Sequence, residues 1–172
     1  RDVAPSRGLG DVYKRQIQYR TGGAQVACED LAQAIDFIMH HAEELQVSTD
    51  NYSLWGGSAG ARMAAYLGSY STQGFINATH ERPATVIMGY TGHSEYTPED
   101  PPTYVIIGED DAIASPATMR RRVENLQALG IDAEFHLLPD LRHGFGLGIG
   151  TTAEGWEKEA VRFWEKYISR KN

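Results

Sequence analysis

Cysteine is almost absent from this chain: Cys28 is the single one in 172 residues. An internal disulfide is therefore impossible and a disulfide-stapled scaffold is excluded, while the compartment stays open between cytoplasmic and exported. Long apolar runs are missing too. None approaches the roughly 20 residues that a helical membrane span requires, so no membrane partner is expected. Positive charge is scarce, with 16 Lys and Arg against 23 Asp and Glu and a net charge of −7. That balance argues against a nucleic-acid partner. There is no H-E-x-x-H pattern and no cysteine cluster, so neither a metal nor another cofactor is expected. Internal repeats, low-complexity linkers and a recognisable signal peptide are lacking as well. What is left is chain enough for one domain with a real core.

Apolar periodicity organises most of that chain. Ile17–Arg20 is a short strand candidate closed by Thr21-Gly22-Gly23. Leu31, Ile35, Ile38, Ala42 and Leu45 recur at steps of four and three, which is one face of an amphipathic helix. Residues 52–57 read as a strand, 59–68 as a helix, 85–90 ("TVIMGY") as a buried strand and 91–102 as a polar loop. Residues 104–108 ("YVIIG") form another buried strand. Ser115-Pro116 is an N-cap with proline in the first turn, Met119, Val123, Leu126 and Leu129 form the helix face that follows, and Gly130 ends it. Residues 133–138 ("AEFHLL") make a last strand, and the helix after it carries Trp156, Ala160, Phe163, Trp164, Tyr167 and Ile168. Strands alternate with helices and several are apolar on both faces. This predicts an α/β fold with a mostly parallel sheet covered on both sides. Functional groups in such sheets gather at the carboxyl ends of the strands.

Glycine is abundant, at 18 residues, and one cluster of it carries chemistry. Gly56-Gly57-Ser58-Ala59-Gly60 follows an apolar strand and opens a helix, the context of a G-x-S-x-G nucleophile elbow. The alternative for Ser58 is a helix-capping serine in a Gly-rich turn. Two further strand ends hold titratable side chains. Glu109, Asp110 and Asp111 follow "YVIIG", and Pro139-Asp140-Leu141-Arg142-His143-Gly144 follows "AEFHLL". The chain order Ser, Asp, His is that of the α/β-hydrolase triad. Residues 17–170 resemble the C-terminal two-thirds of an α/β-hydrolase, and are most similar to small bacterial esterases of the acetyl-esterase and feruloyl-esterase-like group. "YSLWGGSAG", "GEDDAIASP" and "RHGFG" carry the resemblance.

The resemblance implies Ser58 as nucleophile, His143 as general base and an aspartate as the acid that orients the imidazole. The family pattern, similar to G-x-x-D-x-x-V-P, favours Asp111. Ala114-Ser115-Pro116 departs from that pattern, and Asp110 remains the competitor. Either aspartate could instead be a loop carboxylate capping the helix that begins near Ser115. The backbone N–H of Ala59, next after the serine, is the expected oxyanion donor. Gly57 and His93 are the substrate-binding candidates. His40 and His41 read as solvated helix histidines, His80 as a loop residue and His136 as strand packing.

No His-Gly-Gly-Gly motif for a second oxyanion donor occurs. Residues 1–16 lack periodicity, and "DVYKRQ" resembles translated adapter sequence at the end of an assembled metagenomic fragment. The expectation is a non-native or disordered segment at 1–16, then a partial α/β-hydrolase domain over 17–172 whose early strands are missing. As a fragment it should fold and hydrolyse poorly. The function expected of the family is hydrolysis of small acyl or acetylated carbohydrate esters, with a small-molecule ester as the partner; oligomeric state is open. The competing readings are a peptidase of the prolyl-oligopeptidase type and a non-catalytic hydrolase-fold binding module.

Overall fold

The computed structural model describes residues 15–168. Its helices and strands run α1 (Ala24–His40), α2 (Ala42–Leu45), β1 (Ser53–Gly57), α3 (Ala59–Tyr70), a 3₁₀ turn (Thr72–Gly74), β2 (Thr85–Gly89), β3 (Thr103–Gly108), α4 (Pro116–Ala128), β4 (Ala133–Leu138) and α5 (Trp156–Ile168). The four strands form one sheet in the order β1-β2-β3-β4, and each neighbouring pair is parallel. This is the parallel α/β sheet that the alternating pattern predicts.

Side chains alternate across the sheet as the two-residue strand period requires. Leu54, Val86, Met88, Val105, Ile107 and Ala133 share one core with the buried faces of α1, α3 and α4. Ile87, Tyr104 and Ile106 point the other way and pack with Ala160 and Phe163 of α5. β2 and β3 are buried along their whole length, which explains their unbroken apolar runs. α3 buries small residues, Ala61, Ala64, Ala65 and Gly68, and so can lie close between α1 and the sheet. A Cβ on Gly68 would stand 2.9 Å from Val86 Cγ2.

Local signals mark both ends of α4. The Ser115 hydroxyl accepts from Thr118 N at 3.3 Å, with Pro116 in the first turn of α4. Gly130 follows α4 at φ +81°, the left-handed conformation that stops a helix. Leu129, expected on the apolar face of α4, is instead half-exposed at its end.

Two expectations need correction. Residues 17–20 are not a strand. The Arg20 N–H, which a ladder would use, donates to Asp30 at 2.7 Å, and its guanidinium holds the same carboxylate. That bond ties the segment to α1 rather than to a sheet. The helix expected around residues 31–45 is longer at its start and broken near its end, as α1 and α2 separated at His41. The expectation of a non-native segment at 1–16 falls, for residues 1–14, outside the described residues.

Candidate active site

Because all four strands run the same way, their carboxyl ends share one edge of the sheet. Ser58 sits immediately after β1 with φ 53° and ψ −117°, a backbone conformation that costs a non-glycine residue of order 1–3 kcal/mol. Its N–H donates to Gly89 O at 2.9 Å, closing the elbow against the end of β2. Gly56 is required there: a Cβ would lie 2.2 Å from the backbone of Gly60, where α3 crosses back over the strand.

The Ser58 side chain makes no capping hydrogen bond to α3. Its Oγ instead lies 3.0 Å from His143 Nε2. The helix-cap alternative for Ser58 therefore does not describe this serine. On the far side of the imidazole, Nδ1 is 2.8 Å from Asp111 Oδ2 and 3.0 Å from Oδ1. The Asp111 side chain is fully buried. Oδ1 also accepts from Ile113 N at 2.9 Å and Ala114 N at 2.7 Å. Asp110, the sequence competitor, is exposed, and its N–H donates to Leu141 O at 3.1 Å. Of the two aspartates, the fold brings Asp111 to the imidazole.

The two loops that carry Asp111 and His143 are zipped together. Glu109 N donates to Leu138 O at 2.8 Å, continuing the β3–β4 ladder past its end. A Cβ on Gly108 would lie 2.0 Å from Leu141 O, so only glycine permits this approach. The aspartate and histidine are thus held at a mutual distance fixed by backbone.

Ala59 is the first residue of α3. A first-turn N–H has no intrahelical partner, so it points outward from the helix start beside Ser58. Gly57, a substrate-binding candidate from the sequence, lies against Tyr90: a Cβ there would meet the phenol oxygen at 2.2 Å. His93, the other candidate, is buried and packs on Tyr66 at 4.6 Å between ring centroids. Among the described residues its Nε2 has no hydrogen-bond partner. Burial, with Arg122 nearby, pushes its pKa down to about 4.

Tyr90 is a residue that sequence reasoning missed. It follows β2 at φ 37°, its ring meets His143 edge-on at 5.2 Å, and it packs on Phe145 at 4.7 Å. The available signal was its position, directly beyond a buried strand at the same edge as Ser58. Also missed was the fixing of the β2–β3 connection by a buried ion pair. Arg122 Nη2 and Asp100 Oδ2 are 2.7 Å apart, and Asp100 also accepts from Ser69 Oγ at 2.6 Å and Thr97 N at 2.9 Å. Among the other histidines, His136 stacks on Tyr104 at 4.2 Å, the packing role its strand position suggests.

A groove of about 650 Å³ opens beside the imidazole, lined by Asp110, Ala112, Ile113, Arg142 and His143. A second, of about 330 Å³, has Cys28, Tyr66, Tyr70, Phe75 and Glu95 on its walls and none of the three residues above. A hydroxyl, an imidazole and a carboxylate in this arrangement can move a proton off the hydroxyl and hold the resulting imidazolium, the chemistry of nucleophilic acyl transfer.

Residues 15–88 match the model of the BD-FAE family. The match includes Ser58 and its elbow and ends before Asp111 and His143. No curated protein matches the chain. Among solved structures, a thermophilic esterase from the Planctomycetes species Thermogutta terrifontis superposes with a TM-score of 0.72 at 18% identity, over 90% of this chain and 71% of that one. An acetyl ester-xyloside bifunctional hydrolase from Caldicellulosiruptor lactoaceticus gives 0.71 at 18% identity, over 82% and 65%. An α/β hydrolase enzyme from a Medee basin deep-sea metagenome library gives 0.68 at 22% identity, over 83% and 65%. The chain thus spans just under two-thirds of the length of the last two, and its fold is the α/β-hydrolase fold.

Proposed function

We propose that this chain carries the catalytic triad of a serine carboxylic-ester hydrolase, acting on small acyl or acetylated carbohydrate esters. The reading rests above all on the hydrogen-bonded chain Ser58–His143–Asp111, at 3.0 Å and 2.8 Å, set at the carboxyl edge of a parallel sheet. The BD-FAE match across the serine elbow and the esterase names of the structural neighbours support the ester class.

In this reading the Ser58 hydroxyl attacks the ester carbonyl carbon while His143 Nε2 takes its proton. Asp111 accepts the Nδ1–H, which keeps Nε2 free to act as base and stabilises the imidazolium. The carbonyl oxygen, now an oxyanion, accepts from the Ala59 N–H. As the tetrahedral intermediate collapses, His143 returns the proton to the leaving alcohol and an acyl-Ser58 ester remains. Water, deprotonated by the same imidazole, then attacks the acyl carbon, and as the acid leaves His143 returns the proton to Ser58 Oγ. The buried setting of Asp111 and its two backbone donors keep the carboxylate in place through these steps.

The test is a panel of p-nitrophenyl esters of increasing acyl length set beside peptide anilides, run on the chain and on Ser58→Ala. Short-chain esters should be turned over, slowly by the 172-residue chain, and that turnover should fall by several orders of magnitude in the variant. Preference for the anilides, or turnover unchanged in Ser58→Ala, overturns the reading.

A further inference from the structure

We propose that Asp36, His40 and His80 form a binding site for a zinc-type divalent transition-metal ion, apart from the ester chemistry and clamping α1 to the segment that leads into β2. Asp36 and His40 stand four residues apart on the last turns of α1, so they share one face. His80 comes from the stretch between the 3₁₀ turn and β2. One ligand atom from each of the three lies within 4.8 Å of the others. His80 Nε2 is 2.7 Å from Asp36 Oδ1 and His40 Nδ1 is 3.4 Å from the same oxygen. The two imidazoles meet edge to face, with centroids 5.9 Å apart.

Two of the three separations suit a tetrahedral ion, and the third, between the two imidazole nitrogens, is within 4.8 Å. Two ligands about 2.0–2.1 Å from a metal and at a tetrahedral angle are roughly 3.3 Å apart. The His40–Asp36 pair already has that spacing, and the His80–Asp36 pair needs to open by only about 0.6 Å. Coordination through His40 Nδ1 exchanges its 2.8 Å bond to Asp36 O for the metal. That exchange is a turn of an imidazole whose side chain is 65% exposed. The exposed side leaves a fourth position for water. Two nitrogen donors and one carboxylate select zinc-type ions over magnesium or calcium, which take oxygen.

The arm that brings His80 is itself anchored. His80 N donates to Thr72 Oγ1 at 3.1 Å, and that buried hydroxyl donates to Ala78 O at 2.9 Å. Arg82, two residues further on, donates to Gly68 O at 2.7 Å. The ligands therefore come from a helix and a pinned loop, the kind of support a metal site needs. His80 precedes β2, so the cluster lies toward the amino ends of the strands, away from the edge that holds Ser58. Sequence spacing did not reveal it, because His80 lies 44 residues from Asp36 and the motif is split between elements.

The experiment is calorimetric titration of the metal-stripped 172-residue chain with Zn²⁺, paired with Co²⁺ titration read by visible d–d absorption. The expected result is one ion per chain with tetrahedral-type cobalt bands that persist in a large excess of Mg²⁺. Asp36→Asn, His40→Ala and His80→Ala should each weaken binding by at least the roughly 10–100-fold that loss of an outer-shell partner costs. His41→Ala, His136→Ala and His143→Ala should bind as the parent does. Should His80→Ala fail to fold, His40→Ala decides, because its imidazole is largely exposed. Absence of saturable zinc binding, undiminished binding in His40→Ala, or binding lost with His143→Ala would each overturn the proposal.

Discussion

Replacing Asp111 by Asn changes one atom and should stop the proposed mechanism for a reason visible in the hydrogen bonds. Oδ1 accepts from two backbone donors, Ile113 N at 2.9 Å and Ala114 N at 2.7 Å. An NH₂ group cannot accept from either, so the Asn side chain must keep its carbonyl oxygen on that side. Its NH₂ then occupies the position of Oδ2, which is 2.8 Å from His143 Nδ1. Two donors cannot face each other, so Nδ1 becomes the acceptor and the ring proton moves to Nε2. That nitrogen, 3.0 Å from Ser58 Oγ, then carries a proton and cannot take another from serine. The expected loss is about 10⁴-fold in kcat, or roughly 5.5 kcal/mol in the barrier, with KM little changed. Asp110→Asn should stay near parental activity, since Asp110 is exposed and contributes its backbone rather than its carboxylate to the loop contact. Steady-state kinetics on a short-chain p-nitrophenyl ester decides between them. If Asp111→Asn kept more than about a tenth of parental kcat, or if Asp110→Asn carried the large loss, the tautomer argument would be refuted.

Other perturbations read different parts of the structure. Gly108→Ala would place a Cβ 2.0 Å from Leu141 O; separating the two loops by about 1 Å should lower kcat around 10²-fold, and unchanged kinetics would show that the zipped loops are not what positions His143. Arg122→Met leaves the Asp100 carboxylate buried without its cation and should cost about 3–5 kcal/mol in urea unfolding, with partial recovery in Asp100→Leu/Arg122→Met; a single variant as stable as the parent would count against the buried pair. His93 titrates near 4 in the fold, depressed by burial and then by Arg122, against an ordinary value of 6.5. The unfolded chain therefore binds the proton first as pH falls, so this contribution is intact above about pH 6.5 and drains toward pH 4, by about 3 kcal/mol in all. Comparing urea midpoints at pH 7.5 and 4.5, His93→Gln should lose less stability than the parent; an equal loss in both would remove His93 as a cause.

The parallel sheet was legible because its strands announce themselves. "TVIMG" and "YVIIG" are buried on both faces, as strands of a covered parallel sheet are, and they alternate with helices. Ser58 and His143 were legible as candidates for a different reason: each lies beyond the end of a strand, next to glycines that suit a tight turn. The family pattern favoured Asp111 but left Asp110 open, because a one-residue shift in loop register swaps the buried carboxylate for the exposed one. The structure distinguishes them through Ile113 and Ala114, backbone donors that leave no trace in residue type. The Asp100–Arg122 pair and the Asp36–His40–His80 cluster were hidden because each joins residues from separate elements. The strand expected at residues 17–20 failed for a tertiary reason, since Asp30 takes the N–H that a ladder would have used.

The proposed nucleophile can be tested at a single atom. The 172-residue chain is treated with a fluorophosphonate, digested, and the adducts are located by mass spectrometry, beside Ser58→Ala and His143→Ala. The account predicts one phosphonyl group, on the peptide containing Ser58, absent from Ser58→Ala and strongly slowed in His143→Ala, because only an imidazole-activated serine reacts at a useful rate. An adduct of equal extent in Ser58→Ala, or labelling of Ser58 that does not depend on His143, would contradict it.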